Sequence, residues 1–143
     1  MNVDHILRAK GGAVSTLRPE APLADVVQML AEKRIGAIVL VDEAGQVAGI
    51  VSERDVVRVL AKFGAAVLDK PIGEAATAKV KTCTRETAIE EVLAIMTSGR
   101  FRHLPVIDGG QLSGIVSIGD VVKMKIEEAE REAEQMREYI AAG

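Results

Sequence analysis

Aromatic residues and cysteine are scarce in this sequence. Among its 143 residues there are two phenylalanines, one tyrosine and no tryptophan, although 48% of the residues are hydrophobic. The predicted core is therefore aliphatic. A lone cysteine, Cys83, excludes an intramolecular disulfide and a thiolate metal cluster. Its presence without a partner indicates a reducing compartment, which we take to be the cytoplasm.

Excess positive charge and long apolar runs are missing as well. The formal net charge is −3 at pH 7, which argues against DNA or RNA as the main partner. No apolar run is longer than five residues, the length of Ala37–Val41, whereas a transmembrane helix needs about 20 apolar residues. The segment Met1–Lys10 lacks the apolar stretch of a signal peptide. No nucleic acid and no membrane is therefore expected as a partner.

Catalytic motifs are absent too. The sequence has two histidines and one cysteine, and none of the patterns HExxH, GxSxG or GxxxxGKS occurs in it. Nothing in the order of residues brings a nucleophile, a base or a set of metal ligands together. We therefore predict that the protein is not an enzyme and has neither a metal site nor a catalytic cofactor.

An internal repeat is the main positive feature. The phrase “GIVSERDVV” at residues 49–57 returns as “GIVSIGDVV” at residues 114–122. The similarity extends upstream, because residues 14–42 align with residues 80–108. One residue drops out of a glycine-containing turn, where a length change costs little. Two copies are too few for a solenoid, but they suit a pair that covers each other's apolar faces.

Each copy predicts the element order β-α-β-β-α. A short strand-like piece, “AVST” or “KVKT”, precedes an amphipathic helix. The runs “AIVLVD” and “HLPVID”, and then “VAGIVS” and “LSGIVS”, are predicted strands that lead into a second helix. The fold class is α+β. We assign repeat 1 to residues 1–62, a linker with one short helical turn to residues 63–79, repeat 2 to residues 80–125 and a charged C-terminal helix to residues 126–143.

A serine and an aspartate recur at the junction of strand and helix in both copies. Ser52 and Ser117 end the strand, and Asp55 and Asp120 fall in the first turn of the helix. One interpretation is helix capping, with the aspartate favourable to the helix dipole. The other is ligand binding, because a helix N-terminus attracts phosphate and a carboxylate accepts hydrogen bonds from a ribose diol. The residues alone leave both interpretations open.

The two copies resemble a tandem pair of cystathionine β-synthase (CBS) domains, the arrangement called a Bateman module. The phrases “AIVLVD”, “HLPVID”, “GIVSERDVV” and “GIVSIGDVV” carry the resemblance, which extends from Val14 to Lys125. It implies two repeats packed about a pseudo-two-fold axis. It also implies a sensor that binds AMP, ADP, ATP, NAD(H) or S-adenosylmethionine in two clefts between the repeats. Such modules commonly form homodimers, and this one is expected to act in trans on an unknown regulated protein.

The resemblance assigns crossed sites, in which one repeat supplies the polar groups and the other repeat contacts the base. In one cleft the polar residues would be Ser117 and Asp120, with the base near Val14, Ser15, Thr16, Ile35 and Ala37. In the other they would be Ser52, Arg54 and Asp55, with the base near Val80, Thr82, Phe101 and His103 and with Arg102 alongside.

The two clefts are not expected to be equal. Arg54 offers a forked cation to phosphate, whereas Gly119 stands at the matching place in the other copy. Because the cationic groups are few, AMP and NAD(H) are the favoured ligands. Other interpretations remain for three residues: Arg54 as a solvated helix residue, Arg100 as a helix-end surface charge and His103 as the edge of the core.

Two questions stay open at this point. The protein could instead be a structural homodimeric adaptor with vestigial clefts, in which the repeated Ser-x-x-Asp phrase serves helix capping alone.

The tail “KIEEAEREAEQMREYIAAG” places apolar residues along one face of a helix at a spacing near 3.5. They are Ile126, Ala129, Ala133, Met136 and Ile140. That face is predicted to pack on a partner or on the protein's own body, and a solvated, fraying helix is the alternative.

Overall fold

The computed structural model describes residues 1–142 and contains five α-helices and five strands. In chain order these are α1 (Val3–Lys10), β1 (Thr16–Leu17), α2 (Leu23–Lys33), β2 (Ala37–Val41), β3 (Val47–Ser52), α3 (Glu53–Phe63), α4 (Ile89–Gly99), β4 (His103–Asp108), β5 (Gln111–Ser117) and α5 (Ile118–Ala142). Two short 3₁₀ turns, Ala65–Asp69 and Ile72–Glu74, lie between α3 and α4. Gly143, the end of the predicted tail helix, lies outside the described residues.

The predicted α+β fold of two similar halves is confirmed. In the first half the strand order is β1-β2-β3, with β1 parallel and β3 antiparallel to β2. In the second half β4 and β5 form an antiparallel pair. Both hairpins have a register shift at the same place in the repeat, between Leu40 and Val41 and between Val106 and Ile107. The sequence repeat is therefore a structural repeat in detail.

The strand predicted from “KVKT” is not formed, so the second sheet has two strands where the first has three. In the first half, the Val39 amide donates to the Ser15 carbonyl at 3.2 Å. The equivalent residue in β4 is Pro105, which has no N–H to donate. The segment meets β4 only further along, through the isolated parallel bridge between Cys83 and Val106.

Each half has its own aliphatic core, and a segment from outside the half completes each core. The first core contains residues from α2, β2, β3 and α3 together with Val67, Ile72 and Ala75 from the segment between the halves. The second core contains residues from α4, β4, β5 and α5 together with Val3, Ile6 and Leu7 of α1. The segment between the halves packs on the half that it follows, whereas α1, which precedes the first half, packs on the second and so ties the two halves together.

Helix α1 is an element that the sequence analysis did not identify. Asn2 caps it in a capping box, and Val3, Ile6 and Leu7 are buried at helical spacing. Leu7 lies so close to Gly114 of β5 that a Cβ atom at Gly114 would come within 2.7 Å of it. Glycine at that point of β5 thus lets α1, which precedes the first repeat, dock on the second.

The predicted C-terminal helix is the continuation of the last helix of the second repeat. Helix α5 has 25 residues, and its first turns bury Val121 and Met124. Every residue from Ala129 to Ala142 is exposed. Across residues 1–142, no helix has both the length and the apolar character needed to cross a membrane.

Candidate functional site

A cavity of about 410 Å³ lies between the two halves. It is lined by residues of both repeats and of the segment that joins them. They are Gly36, Ile50, Ser52, Glu53, Arg54, Asp55, Thr77, Lys79, Val80, Lys81, Gly99, Arg100, Phe101, Arg102 and His103. We call this cavity the Asp55 cleft.

The Asp55 cleft brings together residues that the resemblance assigned to one crossed site. Its lining includes three polar residues of the first repeat and four residues of the second. These are Ser52, Arg54 and Asp55, with Val80, Phe101, Arg102 and His103 opposite them. Thr82, which was predicted with them, does not line the cavity.

The junction of β3 and α3 is a capping box. Asp55 Oδ2 accepts from the Ser52 amide at 2.8 Å and from Ser52 Oγ at 3.1 Å. The other oxygen, Asp55 Oδ1, accepts from Arg58 Nη2 at 2.9 Å. The capping interpretation is therefore correct for this pair. It does not exclude ligand binding, because the Arg58 side chain is 62% exposed and an exposed ion pair contributes little to stability.

Cationic side chains surround the Asp55 cleft in larger number than the sequence analysis counted. The lining contains Arg54, Lys79, Lys81, Arg100 and Arg102, against the two carboxylates of Glu53 and Asp55. The two lysines were missed because they were assigned to a linker and to a strand. A signal was present, since alternate residues of an extended chain point to the same side and “KVK” places a lysine on each side of Val80.

Arg100 has two roles in the structure. It ends α4 with φ 57°, and its repeat equivalent Arg34 ends α2 with φ 53°. It is thus a helix-end residue, as predicted, and it also lines the Asp55 cleft. A neighbouring cavity of about 370 Å³ shares Arg54, Arg100 and Arg102 with the cleft, so these arginines stand between two cavities.

His103 is half-buried at the start of β4 and lines the Asp55 cleft. Burial lowers its pKa, and the charges of Lys10 and Arg102 lower it further. The carboxylates of Glu53 and Asp120 act in the opposite direction, but the pKa remains below its ordinary value of 6.5. The imidazole is therefore neutral at pH 7.

This pKa predicts a loss of stability on acidification. The unfolded chain protonates His103 near pH 6.5 and the folded chain only at lower pH, so the unfolded state binds more protons between these values. The stability that depends on neutral His103 is complete above pH 6.5 and is lost as the pH falls towards the folded pKa. Urea unfolding at about pH 7.5 and about pH 5.5 measures the loss.

The variant His103→Gln is the control for this titration. Its urea midpoint should fall less on acidification than that of the wild type. The lowered pKa values of Asp4 and Asp120 lie below the ordinary carboxylate value of 3.8, so these groups titrate outside the same window. An equal fall in both proteins would show that the burial of His103 does not affect its protonation.

Asp120, the repeat equivalent of Asp55, does not line the cavity, and its carboxylate already has a cationic partner. Lys10 Nζ, at the end of α1, donates to Asp120 Oδ2 at 2.8 Å and to the Ile115 carbonyl oxygen at 2.8 Å. The Ser117 amide donates to the same carboxylate oxygen at 2.8 Å. Burial would raise the pKa of Asp120, but the hydrogen bonds from Lys10 and Ser117 outweigh it and hold the pKa below its usual value.

The other residues predicted around Asp120 bring no cation with them. None of the five lines the Asp55 cleft. Val14, Ser15, Thr16 and Ile35 are half-buried, and Ala37 is buried at the start of β2. We call the second site, which the resemblance predicts at these residues, the Asp120 cleft. Its predicted lining is apolar or uncharged apart from Asp120 itself, and Lys10 now neutralises that charge.

Residues 1–142 contain no group of three or more histidine, cysteine, aspartate or glutamate side chains placed to hold a metal ion. Cys83 is 6% exposed in the second core, and burial raises the pKa of its thiol to about 12. Cys83 is therefore a core residue whose thiol is protonated at neutral pH, which does not suit a nucleophile.

Comparison with known proteins agrees with the architecture. The CBS domain model matches the chain twice, at residues 13–62 and 72–127. The chain belongs to the CBS domain family. CBS pairs are in general regulatory and not catalytic, and the two matches correspond to the two structural repeats.

The chain is similar to solved CBS-domain structures and to a further relative in sequence. A CBS-domain-containing protein from Agrobacterium tumefaciens is 41% identical, with a TM-score of 0.84 and coverage of 87% of this chain and 92% of that chain. A CBS domain protein from Pyrobaculum aerophilum, complexed with AMP, is 26% identical, with a TM-score of 0.75 and coverage of 84% and 89%. An uncharacterized 17.7 kDa protein from Acidianus ambivalens is 34% identical over 111 residues, which are 77% of this chain. The chain spans 66% of that protein's length.

Proposed function

We propose that this CBS pair is a regulatory module that binds one adenine nucleotide in the Asp55 cleft. The observation that carries the proposal is the cavity of about 410 Å³ in which Ser52, Arg54 and Asp55 of one repeat meet residues of the other. The AMP complex of the Pyrobaculum aerophilum CBS protein supports an adenine nucleotide as the ligand class. Binding would stabilise one arrangement of the two repeats, which a partner protein then recognises.

Each group in the cleft suits one part of a nucleotide. The Asp55 carboxylate would accept from the ribose hydroxyls once the exposed Arg58 side chain moves aside. Ser52 and the first amides of α3 would donate to phosphate, since the helix dipole favours an anion there. Arg54 adds a bidentate donor for phosphate oxygens. The apolar faces of Val80 and Phe101 are suited to contact the base.

The cations of the cleft favour a nucleotide with more than one phosphate. The preference for AMP and NAD(H) rested on a small number of cationic groups, and Lys79, Lys81 and Arg100 enlarge that number. Each further phosphate adds negative charge close to these side chains, where charge-assisted hydrogen bonds are stronger than neutral ones. We therefore expect ATP and ADP to bind more tightly than AMP, with NAD(H) still a candidate for the two adjoining cavities.

Isothermal titration of the protein with ATP, ADP, AMP, NADH and S-adenosylmethionine tests the proposal. ATP should bind at least roughly tenfold more tightly than AMP, a difference of about 1.4 kcal/mol. GTP is the control for base selection and should bind more weakly than ATP. Binding of S-adenosylmethionine in preference to every phosphate-bearing ligand would contradict the role given to the cations.

A structural adaptor remains the second candidate, and one observation favours it. Both Ser-x-x-Asp pairs form capping contacts, so helix capping alone gives each aspartate a physical role. The titration separates the two hypotheses. If none of the five ligands binds at millimolar concentration to the folded protein, the clefts are vestigial and the adaptor hypothesis is preferred.

We further propose that two copies pair as a homodimer. Helices α2 and α3 contact each other, as do α4 and α5. Each pair exposes apolar side chains at equivalent repeat positions, Val27 and Val57 on the first and Leu93 and Val122 on the second. A second copy related by a two-fold axis presents the same surface. An isologous contact between the two copies would therefore cover the exposed apolar side chains of both helix pairs. We infer a cytoplasmic location from the single reduced cysteine.

A further inference from the structure

The last part of α5, residues 129–142, is a helical extension that the rest of the described chain does not bury. Every residue from Ala129 to Ala142 is exposed, and Met136, Tyr139 and Ile140 are 60%, 78% and 70% exposed. Isolated helices shorter than about 12–15 residues are marginal in water, and most helical stability in proteins comes from packing of an apolar face. The extension therefore gains stability if a partner covers that face.

The apolar face has the spacing of a coiled coil. Its members lie alternately four and three residues apart, which is the heptad pattern of positions a and d. They are Val122, Ile126, Ala129, Ala133, Met136 and Ile140. We call this set the α5 seam. It begins at Val122, so it is continuous with the apolar surface of α4 and α5 that the proposed homodimer covers.

We infer that α5 forms a parallel two-stranded coiled coil with α5 of a second copy of this chain. The inference deepens the homodimer proposed above and rests on it, but it does not depend on nucleotide binding. Beyond the homodimer, it specifies that the two α5 helices run parallel to each other. Parallel pairing places each residue of the α5 seam against the same residue of the second copy, as a two-fold axis along the helices requires.

Charges beside the α5 seam favour the parallel orientation. The flanking positions e and g, which pair across a coiled coil, are occupied by Lys123, Lys125, Glu130, Glu132, Arg137 and Tyr139. In parallel register, Lys125 faces Glu130 of the second copy, and Glu132 faces Arg137 of the second copy. Symmetry repeats both pairs, so each of these contacts joins opposite charges.

The antiparallel orientation that pairs the whole seam brings like charges together. Glu130 would then face Glu130 of the second copy, and Glu132 would face its own equivalent. Lys123 would face Arg137. Like charges at facing positions disfavour a pairing, and such positions set partner orientation in coiled coils. The same residues that stabilise the parallel arrangement therefore act against the antiparallel one.

The present partners of these side chains are exposed and can be exchanged. Lys125 Nζ lies 2.9 Å from Glu90 Oε1, with the lysine side chain 40% exposed. Arg137 Nη1 lies 3.4 Å from Glu134 Oε2, and the arginine side chain is 76% exposed. Exposed ion pairs of this kind contribute about 0–1 kcal/mol. They do not hold α5 in a form that prevents pairing with a second copy.

Cysteine cross-linking tests the orientation. In the parallel arrangement, Ile126→Cys places a thiol against the same thiol of the second copy, so mild oxidation should give a disulfide-linked dimer on a non-reducing gel. Ile140→Cys, near the other end of the α5 seam, should do the same. Arg131→Cys lies on the opposite face of the helix and should remain uncross-linked. The wild type gives the baseline, because its only thiol, Cys83, is buried.

Sedimentation of the wild type separates this inference from the homodimer on which it rests. A dimer with cross-linking at positions 126 and 140 supports the parallel coiled coil. A dimer in which neither variant cross-links, with both variants folded by circular dichroism, overturns the coiled coil alone. A monomeric wild type at high micromolar concentration overturns both. None of these results affects the proposed nucleotide site, which the titration tests separately.

Discussion

Asp55→Asn is expected to weaken ATP binding roughly 10- to 100-fold, because hydrogen bonds to a charged carboxylate contribute about 1.5–3 kcal/mol. The amide keeps the shape of the side chain and one acceptor oxygen, so the fold is retained. What it loses is the negative charge and the second acceptor, which the proposed site uses for the ribose hydroxyls. Isothermal titration of the variant and the wild type under the same conditions gives the ratio.

Asp120→Asn is the matched control, because the repeat supplies the same residue in the same capping contact. Both variants remove a carboxylate that accepts from the preceding serine amide at 2.8 Å. A general effect of weakened capping would therefore reduce ATP binding in both. We expect Asp120→Asn to bind ATP within about threefold of the wild type, well below 1.4 kcal/mol. Equal losses in the two variants would contradict the assignment of the ligand to the Asp55 cleft.

Lys10→Met is expected to open the Asp120 cleft to a second ligand. In the wild type the lysine ammonium lies on Asp120 Oδ2 and on the Ile115 carbonyl oxygen. It thus occupies the acceptor that a ribose would need. Methionine keeps the length and the apolar stem of the side chain but cannot donate. Because the predicted lining of this cleft has no cation, adenosine is a better probe for it than ATP.

Titration with adenosine in the presence of saturating ATP measures this second site. The variant should take up adenosine, and the wild type should not. Asp120 gives an independent signal by NMR, because loss of the hydrogen bond and the charge of Lys10 removes two influences that lower its pKa, so the pKa should rise relative to the wild type. Arg8→Met, on the exposed side of the same helix, is the control. A raised Asp120 pKa without adenosine binding would show that Lys10 is not what closes the cleft.

The repeat made most of the fold predictable. Alignment of the two copies gave the helices and hairpins, because apolar spacing within a helix or strand is a local property of the sequence. The missing strand at “KVKT” was also foreseeable in principle, since Pro105 stands where the first copy has an amide donor. Helix α1 was harder to recognise. It is short, and its buried residues pack on the second repeat, which lies far away in the chain.

The Asp55 cleft was predictable to the extent that its residues belong to the repeated phrase. A difference between the two predicted clefts was expected from Arg54 and Gly119, but the ion pair at Asp120 was not foreseen. The contact of Lys10 with Asp120 joins residues 110 positions apart. No local pattern marks such a pair. Lys79 and Lys81 were overlooked for a different reason, because the path of the chain between the repeats decides whether they reach the cleft.

A crystal structure of the protein grown with ATP would show directly where the nucleotide binds. We predict nucleotide in the Asp55 cleft, with the ribose on Asp55 and the phosphates among Arg54, Lys79 and Arg102. We also predict that Lys10 remains on Asp120 and that no nucleotide lies there. Nucleotide on Asp120 with the Asp55 cleft empty would show that the ligand site is assigned to the wrong repeat junction. A structure in which neither cleft holds ATP at a concentration that saturates the titration would show that the ligand binds outside both clefts.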